Sequence, residues 1–287
     1  MPSARPASPL AAADAVAKRG GGPAAAHGAA AEGPRLSDPA LATRLASVLA
    51  EADPNGTRRV LPLTLDGTRY WVKQPERLRL RMRLQKGDAA SAFARERTAL
   101  RALAGRGLPV ARLVADAPGL LAVEDCGTPL RTVLTDAARS PEDRLAAATA
   151  GGAALAALHR AGVAHGRPDL RDICWKDGQA TLIDFERCPP MPATLANLRE
   201  DLVLFTFAAV VALGPEAPEL AALCVGYRRD APPEPWRAAA RYARRLQPLV
   251  PLLRLLSRFD GPRGELAAVA PTLRLLIDPP AAPITQA

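Results

Sequence analysis

The sequence predicts an α+β chain of two lobes, a small β-rich first lobe with one helix and a larger, mostly helical second lobe. Three observations predict it. Asp66-Gly67 and Asp177-Gly178 each stand between short strand-like runs, the signature of a tight hairpin. One helical stretch and two more strand-like runs follow the first hairpin. Beyond about residue 129 nearly everything carries helical spacing, broken once, over 163–188.

Taken in order, residues 1–36 are rich in Ala, Gly, Pro and Ser, show no hydrophobic period, and are expected to form a disordered tail. The first lobe spans 37–126. DPALATRLASVLAEAD has helical spacing, with Ser37 and Asp38 as its cap. TRRVLPLTL and TRYWVKQ are strands around Asp66-Gly67; alternation puts Tyr70 and Val72 on one face, Trp71 and Lys73 on the other. A helix over 88–106 is capped by Asp88 and ended by Gly105 and Gly107. Its apolar stripe is Phe93, Leu100 and Leu103, and Glu96 falls on that stripe, where a carboxylate requires a cation or donors. Strands in PVARLVADAP and LLAVEDCG complete the lobe. The second lobe spans 127–277, with helices at about 129–136, 141–161, 194–213, 216–228, 233–257 and 263–277, and 278–287 is a tail.

Composition narrows the partners. Aromatic residues are 4% of a chain that is 48% hydrophobic, so the core must be built of Ala, Leu and Val. The net charge of +9 favours anionic partners, either through a solvated basic face or through attraction to an anionic membrane leaflet. The densest basic stretch is ERLRLRMRLQK, 76–86. No recognition helix, zinc finger or aromatic platform points to nucleic acid. Four separated cysteines without a CxxC pair read as reduced thiols. No secretory signal or membrane-length apolar run is present, so a cytoplasmic protein is expected, with peripheral contact at the inner face of the membrane.

The chemistry concentrates in VAHGRPDLRDICWKDGQATLIDFERC, 163–188. A hairpin centred on 177–178 sets position 172 opposite 183 or 184, so Asp172 and Asp184 meet at its open end. Two carboxylates there repel unless a cation or a proton sits between them. Their hard oxygens suit Mg²⁺ carrying substrate phosphates; the plainer reading is two loop-end aspartates capping turns. Lys73 on a strand, Glu96 inward on the next helix, a His-Gly loop and an Asp-flanked hairpin, in that order, favour the first.

These residues resemble the protein-kinase-like superfamily, most nearly the bacterial lipopolysaccharide-core (Kdo/heptose) kinases, over about 55–210. The resemblance implies a protein-kinase-like fold binding ATP and Mg²⁺. It implies Lys73 in YWVKQ as the ATP-binding lysine and Glu96 in FARERTALRAL as its partner. LAVEDCGTPL resembles the adenine-receiving hinge, near Glu124, Asp125 and Cys126, and LIDFERC the metal-binding segment, with Asp184 as ligand. Glu186 stands where many kinases have Gly; an acidic residue there is common in this bacterial branch.

HGRPDLRDICW resembles the catalytic loop and departs from it. Counting from His165, the base and metal slots hold Arg167 and Asp172. A second register makes Asp169 the base but puts Cys174, a poor Mg²⁺ ligand, in the metal slot. The resemblance therefore leaves two readings: an active phosphotransferase in which Asp169 or a water-linked carboxylate takes the hydroxyl proton and Arg167 clamps an anion, or a pseudokinase that binds nucleotide as a switch or scaffold. No GxGxxG precedes Lys73. The acceptor is a hydroxyl, and the basic surface favours an anionic glycolipid such as lipopolysaccharide core.

Overall fold

The structure, a computed structural model, describes residues 37–75, 89–257 and 265–280. The basic stretch 76–86, the Asp88 cap, the N-terminal tail and residues 281–287 lie outside the described residues. The chain is α+β, a small antiparallel sheet followed by a mostly helical remainder.

Helix α1 (Pro39–Ala52) starts where Asp38 accepts a hydrogen bond from the Ala40 N–H at 2.9 Å. Strands β1 (Val60–Leu65) and β2 (Thr68–Lys73) join through Asp66 and Gly67, whose φ values of 51° and 75° are the left-handed pair a type I′ turn requires. With β3 (Leu113–Ala117) and β4 (Leu120–Glu124) they form an antiparallel sheet in the order β1-β2-β4-β3. Alternation gives the sheet two apolar faces. Leu61, Leu63, Val72 and Ala122 pack with Leu45 and Leu49 of α1. Trp71, Leu121 and Val123 face the main core instead. Leu45 is fully buried, so Leu45→Ala would cost about 2–5 kcal/mol.

Helix α2 (Ala89–Leu103) lies against the inner face through Phe93, Leu100 and Leu103, the stripe the sequence predicts. Arg97 and Arg101, one turn apart, both grip Asp116 of β3 and fix the helix on the sheet. The chain leaves α2 through Gly105 and Gly107, at φ 74° and 66°.

The helical remainder comprises α3 (Leu130–Thr135), α4 (Pro141–Arg160), α5 (Leu195–Leu213), α6 (Pro218–Asp230), α7 (Pro233–Leu246), α8 (Val250–Leu256) and α9 (Glu265–Ile277). The expected single helix over 233–257 is broken by the 3₁₀ turn Gln247–Leu249, because Pro248 and Pro251 each lack the N–H an α-helix interior needs. Helices α4 and α6 touch backbone to backbone. A Cβ on Gly152 would lie 2.1 Å from the Leu223 carbonyl, and one on Gly226 would lie 2.0 Å from that of Thr149. The helical interruption is a three-stranded sheet, β5-β6-β7: Thr128–Pro129, Ile173–Lys176 and Gln179–Leu182. Among the described residues no helix is long and apolar enough to cross a membrane.

Candidate functional site

Lys73 ends β2 on the same face as Trp71, turned toward α2. Its Nζ lies 2.5 Å from Oε1 of Glu96, and Glu96 is only 2% exposed. Burial pushes the Glu96 carboxyl above its ordinary range, and the Lys73 ammonium opposes that rise. The other oxygen, Oε2, is buried without a hydrogen bond. The ammonium also lies 3.7 Å from Oδ1 of Asp184, so one cation faces two carboxylates.

The β6–β7 hairpin delivers the acids. Asp177 and Gly178 at φ 49° and 77° close the turn, and the ladder runs from Lys176↔Gln179 to Ile173↔Leu182. One step further the Ile183 N–H donates to the Asp172 carbonyl at 2.8 Å. Asp172 thus lies opposite 183 and beside Asp184, as the turn predicts. Asp184 sits at φ 65°, a strained region for a non-glycine residue, and its Oδ1 is buried without a hydrogen bond. Burial, then the Asp184 and Asp169 charges, push the Asp172 carboxyl up to about 7. Asp172 accepts the Asp169 N–H at 3.2 Å, and the crowded pair, with Asp184 Oδ1 unbonded, has the hard-oxygen chemistry that suits a divalent cation such as Mg²⁺. Among the described residues no group of three His, Cys, Asp or Glu could hold a metal alone, so any such ion would need further oxygen ligands from water or phosphate.

The preceding loop is held from below. Asp201 of α5, 1% exposed, accepts the backbone N–H groups of His165 at 2.5 Å and Gly166 at 2.8 Å, and lies 3.4 Å from Nε2 of His159. Its carboxylate thus anchors the loop backbone. His159 in turn meets the Tyr227 hydroxyl at 2.7 Å. Nε2 of His165 faces the Ile183 carbonyl at 2.8 Å, an acceptor only, so Nε2 carries the proton; burial lowers the pKa of this ring. His165 therefore ties the loop to the residue that follows β7. Gly166, at φ 99°, is required: a Cβ there would lie 1.9 Å from the Arg187 carbonyl.

A cavity of about 280 Å³ lies between the first sheet and the hairpin. Its apolar walls include Val60, Leu100, Ala111, Val123 and Ile183; Lys73, Glu96, Asp172 and Asp184 supply charge, and Glu124, Cys126 and Gly127 form one edge. Gly127 is another forced glycine, since a Cβ would lie 2.4 Å from the Trp175 carbonyl. Asp125 does not line this cavity; its Oδ1 accepts the Trp71 Nε1–H at 2.7 Å. Burial pushes the Cys126 thiol up to about 11, which keeps it protonated.

Arg167 borders a second, smaller cavity with His165, Asp172, Asp184, Glu186 and Arg187. The two aspartates therefore wall both spaces. Asp169 lines neither and is turned to Arg171, which bonds it through its backbone N–H and its guanidinium at 2.9–3.2 Å. Burial alone would raise the Asp169 carboxyl, but these bonds hold it below its usual range. Sequence reasoning missed the residues around Glu186: Arg59 pairs with its carboxylate and Nε of Arg95 donates to its carbonyl at 2.9 Å. Those partners lie far away in sequence, and no local signal marks them.

No family model matches the chain. An uncharacterized protein of Haemophilus influenzae is 30% identical over 128 residues, which is 45% of this chain. The chain matches about half of that relative, 53% of its length, and the relative's name assigns no activity.

Proposed function

We propose that the protein is an ATP-dependent phosphotransferase of the protein-kinase-like superfamily, related to the lipopolysaccharide-core kinases, with the cavity between sheet and hairpin as its nucleotide site. The observation that carries this reading is Lys73, held by Glu96 at 2.5 Å and facing Asp184 at 3.7 Å. An ammonium held in this way is oriented for the α- and β-phosphates of a nucleotide, and the apolar walls beside Glu124 and Cys126 suit an adenine ring. Asp172 and Asp184 would hold a Mg²⁺, which would supply positive charge against the phosphates. Asp201 and His165 act as positioning residues, fixing the loop and hairpin that present the acidic pair. Arg167, beside that pair, is placed to hold an anion: the transferred phosphate or a negatively charged hydroxyl acceptor such as a glycolipid.

One observation favours the pseudokinase reading. Arg167 cannot accept a proton, and Asp169 is engaged by Arg171 away from both cavities. Thermal unfolding with Mg·ATP tests nucleotide binding: nucleotide at 100 times the wild-type Kd should stabilise wild type by about 2.7 kcal/mol and Asp184→Ala, at the same concentration, by no more than about 1.4 kcal/mol. No stabilisation of wild type contradicts both readings. ATP turnover by wild type and Arg167→Asp then separates them. Turnover by wild type supports the enzyme; turnover only after the substitution supports the scaffold.

A further inference from the structure

Far along the chain from the nucleotide cavity, the segment 235–257 has an unusual makeup. It contains Arg237, Arg241, Arg244, Arg245 and Arg254, and no Asp or Glu. Glu234, just before it, is the nearest acid in sequence and pairs loosely with Arg237 at 3.9 Å. Helix α7 buries Trp236, Ala239, Ala240 and Ala243 against the core, which leaves its arginines on the outer side. The 3₁₀ turn and α8 then present Leu249, Leu252, Leu255 and Leu256 at 48%, 54%, 50% and 45% exposure, while Val250 is buried. Tyr242 adds a half-exposed ring under the Arg199 guanidinium at 5.1 Å.

Four leucines this exposed on adjacent turns are costly in water, and they account for half of the large exposed apolar side chains among the described residues. Exposed Arg241, Arg244, Arg245 and Arg254 flank them in sequence, and within 235–257 no acidic residue offsets that charge; the next acids are Asp260 and Glu265. Leucines to enter an acyl boundary, arginines to meet headgroup phosphates and a tyrosine for the interface are the elements of a surface-lying membrane anchor. We propose that the α7–α8 segment docks the protein on an anionic lipid bilayer, the leucines of 249–256 inserting shallowly and the arginines engaging phosphate headgroups. The charge asymmetry selects this occupant over a second copy of the chain, because apposing two such faces would bring their arginines together. The inference does not depend on the nucleotide reading.

Flotation of the full chain with phosphatidylcholine vesicles, with and without one third phosphatidylglycerol, tests it. Wild type should float only with the anionic vesicles and be released as NaCl rises. Arg241→Gln and Arg245→Gln should each weaken binding about fivefold, and Leu252→Ser with Leu255→Ser on the order of tenfold. The arginine variants keep the test readable if the leucine variant melts early. Equal binding to neutral vesicles, no binding to either, or wild-type binding by the variants overturns the proposal. So does a solution dimer that Leu252→Ser dissociates and that binds no vesicle.

Discussion

Lys73 and Glu96, 23 residues apart, meet at 2.5 Å with the carboxylate almost wholly buried. Removing the cation leaves that carboxylate inside the fold without its partner. Lys73→Met should therefore destabilise the protein by about 3 kcal/mol, and adding Glu96→Gln should recover more than half of the loss. Urea unfolding of the two single variants and the double variant measures the coupling. Additive effects would mean that the pair does not interact as the distance implies.

Asp172 makes stability depend on pH. Its carboxyl titrates at about 7 in the fold, against an ordinary value of 3.8, so the folded chain prefers it protonated. Its contribution is full below about pH 4 and is lost as pH rises through about 7. Without divalent ions, Asp172→Asn should remove this slope and stabilise the protein at pH 8 by roughly 2 kcal/mol, allowing for solvent around the group. Denaturation from pH 5 to 8 for both proteins checks it.

Asp201 concentrates two loop N–H groups and a histidine on one buried carboxylate. Asp201→Ala should cost about 3 kcal/mol, since buried donors lose a charged acceptor. Hydrogen exchange should quicken at the His165 and Gly166 amides more than at the first sheet. Uniform exchange throughout would mean that the anchor is not local.

Gly166→Ala places a methyl 1.9 Å from the Arg187 carbonyl at a φ of 99°. We expect a loss of at least about 2 kcal/mol and weaker nucleotide binding, because the His-Gly loop must separate from the segment after the hairpin. Gly178→Ala, in an open turn with nothing within 4 Å, should cost only about 1 kcal/mol. Thermal melts of the two variants make the comparison.

What the sequence revealed follows from the range of each interaction. The two Asp-Gly turns fix both hairpins and the register that opposes 172 to 183, because turn chemistry is local. Helical periodicity places Glu96 among Phe93, Leu100 and Leu103, and strand alternation places Lys73 beside Trp71. The two-residue strand Thr128–Pro129 is too short for a pattern and exists through its pairing with Trp175 and Cys174. The Arg59–Glu186 pair spans 127 residues, and the turn of Asp169 toward Arg171 is a rotamer choice; neither leaves a periodic trace.

Calorimetric titration of ATP, with and without Mg²⁺, into wild type, Lys73→Met and Asp184→Ala is the most direct test of the proposed nucleotide site. The site geometry predicts saturable binding to wild type that Mg²⁺ strengthens, and a loss of about tenfold or more in each variant, equivalent to about 1.4 kcal/mol. Absence of binding to wild type, or equal Mg²⁺-dependent affinity in all three proteins, would contradict it.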